Sequence, residues 1–259
     1  MIDALRFETT RIRTLRSTYW LIGLGLLLTA GVALIITLAT IDEPLDDNLV
    51  RDTLTGGGEF ATFIPIFMAI IGIFAAGHEY RHGTIQPTLL AIPQRTTILT
   101  AKVTIVMVTA LLVAVASLAI NFGVGALVWG EAPDITSSPL NDALLGYIVL
   151  VVIYGALGVA LAQLFRGVPS AIVVLLITPM LVEQLIAGLS MLDALDWLQP
   201  ALKFLPFAAG TRLLATEDYT HTDGPDFDYL DRWASGGVFA GFTLLVLLVA
   251  WLLFKKRDA

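Results

Sequence analysis

Side chains able to do chemistry are scarce in this sequence, and Glu183 has the least ordinary setting. It lies in Thr178-Pro179-Met180-Leu181-Val182-Glu183-Gln184, inside a long apolar run. A charge at the middle of a bilayer costs on the order of 2.5–3.5 kcal/mol, so such a carboxyl should face protein or water. Two roles are open. It is either a polar point on a transport path, with Gln184 as a relay beside it, or a protonated carboxyl bonded to a neighbouring helix. In the second role it braces the turn freed by Pro179.

The three histidines do not form one site. His78 and His82 are four apart and share a helix face, but Gly83 follows and no third ligand is near; His221 falls in a different connection. Metal binding is therefore not expected. The acids Glu217, Asp218, Asp223, Asp226, Asp228 and Asp231 lack the order of a calcium loop and read as a solvated segment. There is no GxxxxGK[ST] phosphate loop, no HExxH pair, no GxSxG turn and no cysteine. The chain should bind no cofactor, hydrolyse no ATP and not be an enzyme by itself.

Two stretches carry binding chemistry instead. In Gly77-His78-Glu79-Tyr80-Arg81-His82-Gly83-Thr84-Ile85-Gln86-Pro87-Thr88-Leu89-Leu90-Ala91-Ile92-Pro93-Gln94-Arg95, Thr84 suits an N-cap and Pro87 falls in the first helical turn. Pro93 discourages helix at Ile92. A helix of about two turns remains, with Ile85, Leu89 and Ile92 on one face. So short a helix is marginal alone and its apolar face needs a groove, on a partner, on the chain's own spans or in lipid. The N-terminal arm is the second stretch. Ile2, Leu5, Ile12, Leu15 and Tyr19 recur at helical spacing, and Arg6, Arg13 and Arg16 can reach lipid phosphates, which suits an interfacial helix. The plainer alternative is a basic flank that only sets topology.

These stretches must be positioned by membrane spans. Of 259 residues 57% are hydrophobic and 14% charged, with a mean hydropathy of +0.83. A soluble domain would carry about a quarter charged residues. Runs of roughly 20 apolar residues occur near 19–41, 60–76, 103–128, 144–165, 171–192 and 238–254, the second and sixth being short. They must be helices, since hydrocarbon leaves backbone groups nothing else to bond. The first is too long for a signal peptide, and Asp42 and Glu43 follow it. Most basic residues fall on one side: Arg6, Arg11, Arg13, Arg16, Arg81, Arg95, Lys102, Arg166, Lys255, Lys256 and Arg257. By the positive-inside rule that side is cytoplasmic, and so are both ends. The expected fold is all-α: one transmembrane domain over 1–259, with six spans in the plasma membrane. Residues 190–235 fall outside; the part from Trp197 to Leu214, broken by Pro200 and Pro206, suits short re-entrant or interfacial helices. Gly155, Gly158 and Ala160, or Gly123 and Gly125, would permit close helix contact.

The pattern Glu79, Gly83-Thr84, Leu89-Leu90, Pro93, Arg95 and Lys102 between spans two and three resembles the permease subunits of type-2 ABC transporters. The basic arm, the six spans and the broken stretch before the last span are similar as well, so the likeness covers nearly the whole chain. It implies that residues 84–92 form the coupling helix that touches a separate ATP-hydrolysing subunit. Glu79, Arg81, Gly83, Thr84, Ile85, Leu89, Leu90, Pro93 and Arg95 would make that contact. It further implies two ATPase subunits holding ATP and magnesium, a second permease copy or a related one, and export of an amphipathic or hydrophobic substrate. No nucleic-acid partner is expected. The competing expectation is a self-contained channel or carrier that uses Glu183 as an ion or proton site, although no internal repeat supports it. A lipid-modifying enzyme would need a polar cluster at one membrane face, and the sequence has none of the usual ones.

Overall fold

The structure, a computed structural model, describes residues 1–58, 63–92, 94–216 and 229–256. Every regular element among them is helical. Six helical stretches are long and apolar enough to cross a membrane: α2 (Arg16–Ala39), α4 (Phe63–Arg81), α6 (Arg95–Trp129), α7 (Leu140–Phe165), the broken rod 168–189, and α11 (Arg232–Lys256). The broken rod comprises α8 (Val168–Ile177), a π-helical turn at Thr178–Glu183, and α9 (Gln184–Leu189). Pro179 has no N–H to give the preceding turn, which accounts for a widened turn there. Shorter helices complete the chain: α1 (Ile2–Thr14), α3 (Asp47–Thr55), α5 (Ile85–Ala91) and α10 (Pro206–Thr211). Two 3₁₀ segments flank α10, at Asp193–Phe204 and Arg212–Leu214.

Apolarity marks the spans but not their ends. The third helix begins at Arg95 rather than near 103 and runs for 35 residues. The sixth begins at Arg232 rather than near 238 and has 25 residues, so it is not short. In both cases helix continues through polar residues past the apolar run. Gly236 does not interrupt the sixth, because it packs on Leu213 where a Cβ would lie 2.5 Å from that side chain.

The bundle is built around α7, which is packed by α4, α6 and α11. The α4–α7 crossing is backbone on backbone. A Cβ at Gly158 would sit 2.0 Å from the Ala69 carbonyl oxygen, and one at Gly72 would sit 2.4 Å from the Gly155 oxygen. Small residues allow such approach in membranes, where van der Waals contact replaces the hydrophobic drive. Gly123, by contrast, meets nothing within 4 Å.

The sequence reading did not foresee α3. Asp46 caps it, accepting from the Leu49 N–H at 2.7 Å, and Gly56 ends it at φ +76°. Only glycine fits there, since a Cβ would come 1.9 Å from Thr29 Oγ1. Buried Asn121, in the middle of an apolar helix, holds this corner by donating to Thr29 Oγ1 at 2.9 Å and to the Leu54 oxygen at 2.8 Å. Arg51 then joins α3 to the end of the last 3₁₀ segment, donating to the Leu214 oxygen at 3.4 Å and to Thr216 Oγ1, just beyond it, at 3.0 Å.

Candidate functional site

One end of the bundle, the basic end, gathers α1, α5, the start of α6 and the last turn of α11. There α4 stops in a Schellman turn. Gly83 takes φ +66°, and the Thr84 N–H donates to the Glu79 carbonyl at 3.0 Å. The turn sets the direction of α5. We expect Gly83→Ala to cost about 1 kcal/mol through this left-handed position, although no neighbour crowds it; a thermal melt in detergent measures the loss.

α5 forms over the expected residues, with Thr84 at its N-cap and Pro87 in its first turn. The Thr84 side chain makes no capping bond. The expected apolar face is largely taken up by the chain itself: Ile85 is buried, and Leu89 and Ile92 are half-buried. Thr88, not foreseen on that face, is buried beside them. What α5 presents outward is Gln86, Pro87, Ala91 and above all Leu90, which is 86% exposed. Phe7 of α1 and Pro87, Thr88 and Ala91 of α5 border a cleft of about 300 Å³. Arg81 is exposed, and Pro93 lies outside the described residues.

Two of the expected contact residues are turned to other work. Arg95 donates through Nη1 to the Phe254 oxygen at 2.5 Å and lies over the Phe254 ring, 5.5 Å from its centroid. A guanidinium there satisfies a carbonyl at the negative end of α11. Glu79 is only 3% exposed and belongs to a buried cluster of two acids and two bases. Lys102 Nζ lies 2.7 Å from Glu79 Oε1 and 2.5 Å from Glu8 Oε1, and also donates to the Ala75 oxygen at 3.3 Å. Arg11 Nη1 reaches Glu79 Oε1 at 2.5 Å and Glu8 Oε2 at 3.6 Å. Burial pushes the Glu8 carboxyl above its ordinary value, and Lys102 and Arg11 pull it back. Such groups persist out of water only when paired, and the charges here balance.

The cluster fixes α1 on the bundle. Ala4, Glu8 and Ile12, spaced by four, are its buried stripe. Leu5 and Leu15 are half-buried, while Ile2, Phe7 and Tyr19 are exposed. Arg6, Arg13 and Arg16 are exposed too, free of the bundle. Glu8 and Arg11 were not singled out in the sequence. The available signal was an acid on the same stripe as Ala4 and Ile12.

Glu183 sits at the end of the π-helical turn, 4% exposed. Its Oε1 accepts from the Phe207 N–H and its Oε2 from the Ala208 N–H, both at 2.8 Å. These amides open the first turn of α10, where free N–H groups and the helix dipole favour an anion. Both oxygens of the side chain therefore accept from the backbone of α10, where the second expected role was a protonated carboxyl bonded to a neighbouring helix. Gln184 is exposed and borders the same cavity, of about 530 Å³. Phe207 of α10 meets Tyr154 edge-on and Phe239 at a tilt, and Tyr154 and Phe239 are tilted on each other, with ring centroids 5.0–5.8 Å apart.

His78 stacks on Phe74 at 4.5 Å and meets His82 edge-on at 5.9 Å. Among the described residues no three metal-ligating side chains cluster. Asp231 caps α11 by accepting from the Ala234 N–H at 3.0 Å. His221, Arg257 and the acids Glu217, Asp218, Asp223, Asp226 and Asp228 lie outside the described residues.

No curated protein matches the chain. The family model that matches is DUF2705, described as a protein of unknown function, over residues 59–259. That match takes in α4 to α11 and most of the basic end, and the chain belongs to the DUF2705 family.

Proposed function

We propose that the chain is the membrane-spanning permease subunit of an ATP-driven transporter of the type-2 ABC kind, exporting an amphipathic or hydrophobic substrate. The observation that carries the reading is α5. It is a two-turn helix between the second and third spans, anchored by Ile85 and Thr88, with Leu90 projecting almost fully exposed. A single exposed leucine beside a cleft is the kind of anchor a partner protein uses. The basic end is cytoplasmic by the positive-inside rule, which puts α5 within reach of cytoplasmic ATPase subunits. ATP and magnesium belong on those subunits. A second permease copy, or a related chain, completes the path. In this reading α1 lies along the inner membrane surface with Arg6, Arg13 and Arg16 toward lipid phosphates, and residues 193–214 re-enter from the outside.

In this reading the exposed Leu90, Pro87, Gln86, Ala91 and Arg81 face the ATPase, whereas Ile85 packs inward, Glu79 bonds to α1 and α6, and Arg95 bonds to α11. Expressed with its ATPase subunit, the Leu90→Asp variant should lose co-purification and transport-linked ATP hydrolysis by at least about tenfold, as expected for an interface anchor. The melting temperature of the isolated chain should stay unchanged, because Leu90 packs on nothing. Undiminished association of the Leu90→Asp variant, or no ATPase subunit in wild-type preparations in mild detergent, overturns the reading.

A further inference from the structure

The cavity beside Glu183 is lined by more polar capacity than the fold uses. Of two buried tyrosines on α7, Tyr154 lines this cavity and Tyr147 does not; the Tyr147 hydroxyl is 3.0 Å from Ser117 Oγ. The Tyr154 hydroxyl has no hydrogen bond with any described residue, although the side chain is 4% exposed and lines the cavity. The oxygen itself is not sealed off, so a molecule in the cavity can reach it. Glu183 lines the same space. A carboxylate offers about four acceptor positions, and α10 takes two of them. Gln184 and Thr211 also line the space, and the rest of the wall is mainly apolar, including Ile66, Leu176, Pro179 and Phe207. The volume, about 530 Å³, falls within the roughly 300–1,000 Å³ of small-molecule pockets. Met180, which also lines the cavity, is 74% exposed, so the cavity is open at the surface of the broken rod.

We propose that this cavity binds an amphipathic amine arriving from the bilayer. Its alkyl body lies against Ile66, Leu176 and Phe207. Its protonated nitrogen donates to Glu183 and to the Tyr154 oxygen. The charge is what selects an amine: a buried carboxylate favours a cation that can also donate hydrogen bonds. Naming this amine as the exported cargo rests on the permease reading above; its binding does not.

The test is equilibrium binding of tritiated dodecylamine to the purified chain alone in phosphatidylcholine nanodiscs. We expect saturable binding of one molecule per chain, with dodecanol and dodecyl sulfate competing at least tenfold more weakly. Glu183→Gln should weaken binding at least tenfold and Tyr154→Phe several-fold. Leu176→Trp, which fills the cavity without touching the polar groups, should abolish binding while the protein still melts as wild type. Should Glu183→Gln fail to fold for want of its cap on α10, the other two variants decide. Unsaturable partitioning, equal across variants, or dodecanol or dodecyl sulfate competing as well as unlabelled dodecylamine, overturns the proposal. Since no ATPase is present, neither result bears on the partner assigned to α5.

Discussion

Replacing Lys102 with methionine should loosen α1 from the bundle and destabilise the protein by about 3–5 kcal/mol, the usual cost of removing one partner from a buried ion pair. The ammonium lies within 2.7 Å of both Glu8 and Glu79, and itself is 2% exposed. Without it, two buried carboxylates share Arg11 alone. The measurement is a thermal melt in detergent together with hydrogen exchange over residues 2–14, which should rise toward the rate of an undocked helix. The double variant Lys102→Met with Glu8→Gln keeps the Arg11–Glu79 pair and restores neutrality. It should recover more than half of the loss, a non-additivity expected of groups in one network. A Lys102→Met protein that melts and exchanges like wild type would show that packing of Ala4 and Ile12, and not charge, holds the arm.

The second large effect is expected at Gly158. Alanine there would press its methyl to 2.0 Å from the Ala69 oxygen and 2.7 Å from its carbonyl carbon. Both are backbone atoms of a rigid helix and cannot swing aside, so α4 and α7 must separate along the crossing. Overpacking commonly costs 1–3 kcal/mol, and the loss here should reach about 3 kcal/mol or more. Gly123→Ala is the matched control. Nothing lies within 4 Å of it, so alanine should be neutral or gain up to about 1 kcal/mol from helix propensity. Unfolding in mixed micelles compares the two, and equal behaviour would mean that the crossing is looser than its spacing indicates.

The six spans were legible because hydrocarbon admits so few solutions: a run of about 20 apolar residues is a helix. Their ends were not, since a helix does not stop where the lipid does. Arg95 to Lys102 and Arg232 to Gly237 are too polar for the apolar layer yet remain helical. The short α3 escaped notice because its stripe of Val50 and Leu54 is brief and flanked by charges. On α5, periodicity located the apolar face but could not say what covers it; Ile85 packs inward while Leu90, off the face, projects. The ion cluster was hidden for a different reason. Its members come from three helices, and Glu8 is 94 positions from Lys102, a distance no local pattern spans. Glu183 was conspicuous by its charge, but its partners are backbone amides of Phe207 and Ala208. Any residue pair at those positions offers the same groups, so the sequence carries no trace of them.

At 35 residues and about 1.5 Å of rise each, α6 is a rod of about 52 Å, against about 30 Å of hydrocarbon. It therefore exceeds such a layer by about 22 Å, and part of that excess is a handle at the basic end. The handle carries Lys102, which grips α1, and Arg95, which grips the last turn of α11; α5 joins it through only Ile92, Pro93 and Gln94. Taken as a rigid rod, α6 tilted by about 5° about its middle would shift its two ends by about 2 Å in opposite directions, so the grips on α1 and α11 at one end and the position of Trp129 at the other would change together.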